Sequence, residues 1–153
     1  MTEDTSKPGH GKANPKPSGN GKVKAERREI PGNFPYTTSP GVFAKVLERI
    51  PVSERPPQFT QDFLASVLQA TGGSARPIIP ILKKAGLLRP DGVPTDAYSQ
   101  FQSTSGRAGA ALQALKTGWP ELFRRNQYAH RVDDKATEDL FRQVTGLPPD
   151  VTP

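Results

Sequence analysis

Residues 72–95, GGSARPIIPILKKAGLLRPDGVPT, limit what this chain can fold into more than any other stretch. They hold an apolar run that carries basic side chains and lies between a glycine pair and an Asp-Gly turn. At about 100° per residue along a helix, the apolar and basic positions separate onto two sides. The predicted core side holds Ile78, Ile79, Ile81, Leu82 and Ala85. The predicted outer side holds Arg76, Pro80 and Lys83, with Lys84 at its margin.

Two further signals in this stretch shape the helix and the chain that follows it. We expect Ser74 to cap the helix, and Pro80, which lacks an N–H, to kink or tighten it near Arg76. Beyond the helix, an Asp-Gly pair between apolar residues favours a tight turn, so we expect residues 87–94 to form a short two-stranded wing. Two prolines in this segment keep the predicted strands brief.

Short amphipathic segments with capping residues flank this stretch on both sides. A first helix begins at Ser39 and Pro40 and ends before Pro51, and a second is capped by Thr60 and stopped at residues 72–73. Three more follow, with the turn PELFRRN before the last: DAYSQFQ, capped by Thr95, then SGRAGAALQALKTGW, then DKATEDLFRQVTG. The second of these has small residues suited to close helix packing. The third has Leu140, Phe141 and Val144 on its inward side and ends at Gly146. This order is that of a winged helix-turn-helix. We therefore predict a mainly α fold with a winged-helix-like helix-turn-helix core, a short β-hairpin wing and additional C-terminal helices.

The composition sets the predicted domain boundaries. Residues 1–33 are rich in Pro, Gly and Lys and cannot bury enough surface to offset chain entropy, so we expect a disordered basic tail. Residues 34–147 form the predicted helical domain, and residues 148–153 a flexible C-terminus. The start MTEDTSKPGH lacks an apolar leader segment, and no apolar run approaches bilayer-spanning length. We therefore expect a cytoplasmic protein without a membrane partner.

The charge balance permits an anionic partner without requiring one. The whole chain has a formal net charge of +6. Residues 1–30 hold seven Lys or Arg and four Asp or Glu, which gives +3, and the remaining residues hold fourteen and eleven, which gives another +3. A surplus spread this evenly is mild, so the total charge alone does not identify a partner.

The basic side of the predicted third helix is a candidate DNA interface. In a helix-turn-helix, the helix after the turn meets base edges with its N-terminal part. Arginine suits guanine edges and lysine suits phosphates, so we expect double-stranded DNA as the partner. The candidate nucleic-acid-binding residues are Ser74, Arg76, Lys83, Lys84 and Arg89. The solvated outer face of an ordinary core helix carries the same charges, and the sequence leaves that alternative open.

A second candidate surface combines aromatic and arginine side chains near residue 120. Such mixtures are common in protein interfaces, so the alternative function is a protein-protein interaction module of the same fold, acting as a homodimer or with another protein and without DNA. The candidate interface residues are Trp119, Arg124, Arg125, Tyr128 and Arg131. The structural alternative is that Trp119 and Phe123 close the core between the fifth helix and the last.

Enzyme chemistry has little support in the residues. The chain has no cysteine, which excludes disulfides, thiolate metal sites and thiol nucleophiles. His130 is the one histidine of the predicted domain, and no nucleophile motif, phosphate-binding loop or metal-ligand spacing surrounds it. We therefore expect no enzyme activity, no catalytic residue, no metal and no cofactor.

Three segments carry a resemblance to a known family: FPYTTSPGVFAKVLERIP, then PPQFTQDFLASVLQATGGSARPIIPILKKAGLLRPDGVPTDAY, then LFRRNQYAH. The chain resembles a bacterial and archaeal domain-of-unknown-function family that shares the PYTTSPG opening, the GGSAR turn and the NxYAH segment. The resemblance spans about residues 34–146. It implies a soluble, mainly helical domain with winged helix-turn-helix character, and it carries over no activity and no catalytic residue.

Overall fold

The computed structural model describes residues 31–148, and this part of the chain is mainly helical, as predicted. It holds seven α-helices: α1 (Pro40–Arg49), α2 (Gln61–Ser66), α3 (Ile78–Lys84), α4 (Asp96–Gln102), α5 (Arg107–Gly118), α6 (Pro120–Arg125) and α7 (Asp134–Thr145). Short 3₁₀ turns cover Ile50–Val52, Gly73–Ala75 and Ala129–Arg131. The predicted tail and C-terminus, residues 1–33 and 148–153, lie almost entirely outside the described range.

Side-chain caps explain where several helices begin. The Thr60 hydroxyl accepts a hydrogen bond from the Phe63 amide (3.1 Å), and the Thr95 hydroxyl accepts one from the Tyr98 amide (3.4 Å). Each bond satisfies a first-turn N–H that has no partner inside its own helix. Helix α1 begins at Pro40, which fits the first helical position because its fixed φ suits a helix and its missing N–H costs nothing there.

Helix α2 ends at Ser66, well before the glycine pair at residues 72–73 that we predicted as its stop. The chain instead turns at Gln69, which adopts the left-handed conformation (φ +56°). This turn lets Leu68 and Ala70 both reach the core, where both are buried. On a continuous helix, residues two positions apart point to different sides, so one of the two would face solvent. Burial of both side chains therefore favours the end of α2 at Ser66.

Helix α3 begins at Ile78, later than predicted, and this start accommodates Pro80. Pro80 is the third residue of the helix, where an N–H would have no intrahelical partner, so the expected kink is not needed. Ser74 does not cap the helix, because it lies in the preceding 3₁₀ turn with its hydroxyl 3.4 Å from the Thr71 carbonyl oxygen. The predicted core side is confirmed, with Ile78, Ile81, Leu82 and Ala85 buried and Ile79 half-buried.

Residues 87–95, where we predicted two strands, form a tight turn with one isolated antiparallel bridge between Leu88 and Pro94. The Arg89 amide closes the turn by donating to the Val93 carbonyl (2.8 Å). No strand occurs in the described residues beyond this bridge, so the expected β-hairpin wing is reduced to a turn. The physical reason is that two prolines in the segment lack the amide donors that a ladder of strand hydrogen bonds needs.

This 87–95 turn lies against the chain that precedes α2. The Phe59 amide donates to the Gly92 carbonyl (2.8 Å). The Arg55 guanidinium donates both to the Pro94 carbonyl (2.7 Å) and to a serine hydroxyl on α4 (2.8 Å). Gly92 adopts φ +88°, and a Cβ there would lie 3.2 Å from the Phe59 carbonyl oxygen, so both the backbone and the space require glycine.

The core takes buried side chains from α1 through α5 and from the segments that connect them. Tyr98 of α4 is fully buried (0% exposed) and packs edge-on against Phe59, with ring centroids 6.2 Å apart. The sequence pattern predicts an inward stripe on α5 at Ala108, Ala111, Leu112 and Leu115, but Ala108 and Leu115 are exposed. The buried side instead holds the small residues Ala110, Ala114 and Gly118, and a Cβ on Gly118 would lie only 3.5 Å from the Ala85 Cα at the end of α3. None of the helices within residues 31–148 is long and apolar enough to cross a membrane.

The N-terminal segment and α7 pack together at the edge of the fold. The predicted inward residues of α7, Leu140, Phe141 and Val144, are each half-buried. The ring of Phe34, which is itself buried, meets Phe141 edge-on at a centroid distance of 5.0 Å. A Cβ on Gly32 would lie within 2.9 Å of Val144, so the chain passes very close to α7 at this point. Residues 32–34 are therefore fixed by packing.

Candidate nucleic-acid interface

A groove of about 630 Å³ lies between residues 33–38 and α3. Residues spaced three or four apart, which share one face of a helix, form its α3 side: Pro77, Pro80, Ile81 and Lys84. The opposite wall includes Tyr36, whose side chain is 48% exposed. Two cations, Arg76 and Lys84, line the groove, and its lining contains no acidic residue. We call it the Arg76 groove.

Arg76 lies at the entrance to α3, directly after the 3₁₀ turn Gly73–Ala75. Gly72 opens that turn with φ +76°, a conformation that L side chains rarely adopt, so the turn that leads to Arg76 depends on glycine at this position. The Arg76 side chain is exposed, and it makes no hydrogen bond or ion pair within the described residues. Its guanidinium is therefore available to an anionic ligand.

The two lysines of α3 differ in their surroundings. The Lys84 ammonium donates a hydrogen bond to the Asn33 carbonyl oxygen and so ties the N-terminal segment to α3. Lys83 is half-buried and does not line the Arg76 groove. The structure thus brings Lys84 together with Arg76, whereas the sequence had placed Lys83 beside Arg76 and Lys84 at the margin. The difference follows from the late start of α3, which takes Arg76 out of the helical periodicity.

The remaining predicted contact residues lie outside the groove. Arg89 is in the 87–95 turn, where it forms an ion pair with Asp91 (3.2 Å). Ser74 is half-buried, two residues before Arg76 in the chain. The structure therefore groups only part of the predicted set around one surface.

Two further depressions continue from the Arg76 groove. One, of about 610 Å³, shares Arg76 with it and follows the turn between α2 and α3. The other depression, of about 430 Å³, shares residues 70–71 with the 610 Å³ one. It reaches Lys45 and Arg49 on α1, together with the acidic Glu48. The three depressions are neighbours through these shared wall residues, and we call them together the track. Cations line its two ends, and Glu48 adds an acid at the α1 end.

Sequence reasoning missed three residues of this track. Tyr36 belongs to the PYTTSPG segment, which contributed only to the family resemblance. Lys45 and Arg49 are four residues apart and so share one side of α1, a signal that was available in the predicted first helix. Their proximity to the α2–α3 turn was not available, because it depends on how the helices pack.

The second predicted surface is also exposed. The Arg124 guanidinium pairs with Glu121 one turn earlier on α6 (2.5 Å), while Arg125 and Arg131 are exposed. Tyr128 is 54% exposed. Trp119 and Phe123, which we expected as a possible closure of the core, are half-buried, and Phe123 stacks on His130 with centroids 6.0 Å apart. The buried position of α6 is instead occupied by Leu122.

No group of three or more His, Cys, Asp or Glu side chains comes together as a metal site anywhere in residues 31–148. One titratable side chain behind the grooves is strongly perturbed, since burial raises the pKa of Tyr98 to about 12 while the Arg55 charge acts to lower it. Its hydroxyl has no hydrogen-bond partner among the described residues. Tyr98 belongs to the core and does not line the Arg76 groove.

A family described as a family of unknown function, DUF5343, has a model that matches residues 35–152. This confirms the predicted resemblance to an uncharacterised family over nearly the same residues. No curated protein and no solved structure matches the chain.

Proposed function

This chain belongs to the family of unknown function DUF5343, and we propose that it is a DNA-binding or regulatory protein with a winged-helix-like core. In this proposal α2 and α3 form the helix-turn-helix unit, and α3 is the recognition helix. The 87–95 turn takes the place of the wing. The partner is double-stranded DNA.

The connection between the 87–95 turn and the start of α2 supports the winged-helix interpretation. In chain order the described elements are α1, an extended segment, α2, α3 and the turn. The extended segment is joined to the turn by the hydrogen bond from the Phe59 amide to the Gly92 carbonyl (2.8 Å). The Gln58 side chain adds a second bond, to the Asp91 carbonyl (2.8 Å). These bonds bring together the segments that a winged helix pairs as strands.

The observation that carries the proposal is the unpaired, exposed guanidinium of Arg76 at the entrance to α3. It occupies the part of a recognition helix that meets base edges. Residues 63–90, which include the turn between α2 and α3 and all of α3, hold four basic residues and no acidic one. This local excess of positive charge favours the approach of phosphates to that surface.

The five predicted contact residues have different roles in this proposal. Arg76 contacts a base edge or a phosphate, and Lys83 contacts a phosphate. Lys84 holds the N-terminal segment through its bond to a backbone carbonyl. Arg89 contributes little, because the carboxylate paired with it repels phosphate. Ser74 offers its hydroxyl beside Arg76.

Fluorescence anisotropy with a labelled mixed-sequence DNA duplex at low salt tests the proposal. We expect Arg76→Ala to weaken binding by about tenfold, the scale of one lost arginine contact. Lys83→Ala should weaken binding equally for all sequences and reduce the salt dependence by about one unit of slope. Lys135→Ala is the matched control, because it removes the same charge from an exposed position on α7. Absence of duplex binding at low salt, or an equal loss in the Lys135 variant, would contradict the proposal.

A second candidate function is the protein-interaction module. It is favoured by the exposed ring of Tyr128 (54%), which lies in the chain between the exposed residues Arg125 and Arg131. Leu115 on α5 is another exposed large apolar side chain (40%). A concentration-dependent molar mass by light scattering, lost in Tyr128→Ala, would support a homodimer. A constant monomer mass across concentrations would exclude the homodimer, and binding partners would then be sought by affinity capture.

A further inference from the structure

The Arg76 groove contains a side chain that duplex recognition by α3 does not use, the exposed ring of Tyr36 on the wall opposite the helix. We propose that this groove binds single-stranded DNA, with an unpaired base stacked on Tyr36 and its phosphate on Arg76. The inference rests on the proposed function in one respect, because Arg76 is the cation that contacts phosphate in both duplex binding and single-strand binding.

The shape of the groove favours an unpaired strand. Residues 33–38 lie alongside α3 and form a second wall, so a nucleotide in the groove would contact side chains on two sides. The volume of about 630 Å³ is within the range of sites that enclose small ligands. Unpaired nucleotides can enter a space of this size, because their bases are free to turn into it.

The chemistry of the lining favours the same ligand. A base stacks on an aromatic side chain whatever its sequence, and a nearby arginine neutralises the phosphate. The groove offers one exposed aromatic ring, Tyr36, and one unpaired cation, Arg76. An acidic peptide would use the cation and leave the ring without a partner.

Charge also argues against occupation of the groove by the protein's own N-terminal residues. Residues 1–30 hold seven basic and four acidic side chains, a surplus of +3, and the groove is lined by two cations and no acid. Like charges repel, so this segment is disfavoured as the occupant.

The wall that carries Tyr36 is held in place before any ligand arrives. The Lys84 ammonium binds the Asn33 carbonyl on one side, and Phe34 packs on Phe141 on the other. The Thr37 hydroxyl accepts a hydrogen bond from the Ser39 amide (3.1 Å), which fixes the chain after Tyr36. A preformed wall reduces the entropy lost on binding.

The test compares labelled oligothymidine with a DNA duplex of equal length, by fluorescence anisotropy at low salt, using the full chain. We expect Tyr36→Ala and Tyr36→Leu each to weaken oligothymidine binding by about tenfold, the scale of one lost stacking contact, and to leave duplex binding unchanged. Tyr36→Phe keeps the ring and should bind like the wild type. Arg76→Ala should weaken both ligands, and Thr104→Ala, which removes a threonine hydroxyl from an exposed position outside the groove, should affect neither. Circular dichroism verifies that each variant is folded.

The outcomes separate this inference from the proposed function. Oligothymidine binding that is unchanged in both Tyr36→Ala and Tyr36→Leu overturns the inference and leaves duplex binding by α3 intact. Competition by a polyglutamate peptide as strong as that by unlabelled oligothymidine also overturns it, because the ring then contributes nothing. Absence of duplex binding together with Tyr36-dependent oligothymidine binding overturns the proposed duplex function and supports the inference.

Discussion

We expect Tyr98 to make the stability of this protein depend on pH in the alkaline range. Its side chain is fully buried, and burial raises its pKa from 10.0 to about 12. Because the pKa is higher in the folded state than in the unfolded one, the stabilisation is complete below pH 10 and is lost as the pH rises toward 12. At about 1.4 kcal/mol per pKa unit, two units correspond to a loss of roughly 3 kcal/mol above both values, and about half of that at pH 11.

Urea unfolding at pH 8 and pH 11 measures this loss, and Tyr98→Phe isolates it. Fluorescence of the chain's one tryptophan and circular dichroism report the transition. We expect the wild type to lose about 1.4 kcal/mol more than Tyr98→Phe between the two pH values, since phenylalanine has no proton to release. At pH 8 the free energy of unfolding of Tyr98→Phe should be close to that of the wild type or higher, because no described protein group binds the removed hydroxyl.

Two results would refute this reasoning. An equal loss of stability in the wild type and in Tyr98→Phe would show that other groups produce the alkaline destabilisation. A large cost of Tyr98→Phe at pH 8, above about 2 kcal/mol, would show that the hydroxyl makes a stabilising hydrogen bond.

Three other substitutions test the packing of the fold. Gly109 lies within α5, and a Cβ at this position would meet open space. We therefore expect Gly109→Ala to raise the free energy of unfolding in urea by about 1 kcal/mol. No gain would indicate that the position is not helical in solution. Gly92→Ala should cost about 1 to 3 kcal/mol, because alanine is strained at φ +88° and its Cβ meets the Phe59 carbonyl oxygen; a neutral effect would mean that the 87–95 turn is not held against that segment. Arg55→Ala removes the bonds to Pro94 and Ser99 and should cost about 1 kcal/mol, with Arg55→Lys recovering only part; full recovery by lysine would show that charge and not the double contact matters.

The sequence predicted the helices well where the signals are local. Threonine caps at 60 and 95 start α2 and α4, and the glycine at 146 ends α7 with φ +66°, as predicted. The buried side of α3 was also predicted from periodicity alone. Capping bonds and helical faces depend on residues within about four positions of one another, so the sequence contains the whole signal.

The candidate site was only partly predictable. Arg76 was identified from its place after the glycine turn, but its groove depends on Tyr36, which lies in a different part of the chain. Arg89 carried a charge that suited DNA, and its pairing with Asp91 became visible only in the structure. A residue's type indicates what it can bind, whereas its availability depends on its neighbours in space.

The sequence by itself thus predicted most of the helical segments and the apolar side of α3. It was wrong for PELFRRN, which we predicted as a turn and which contains helix α6, starting at Pro120 in the first helical position. Only the tertiary structure decided where α2 ends and where α3 begins. It also decided that the 87–95 turn bonds to the segment before α2, and that residues 33–38 form a wall beside α3. The bond between Lys84 and Asn33 joins positions far apart in the chain. Such contacts leave no periodic pattern in the sequence, because packing of the whole core selects them.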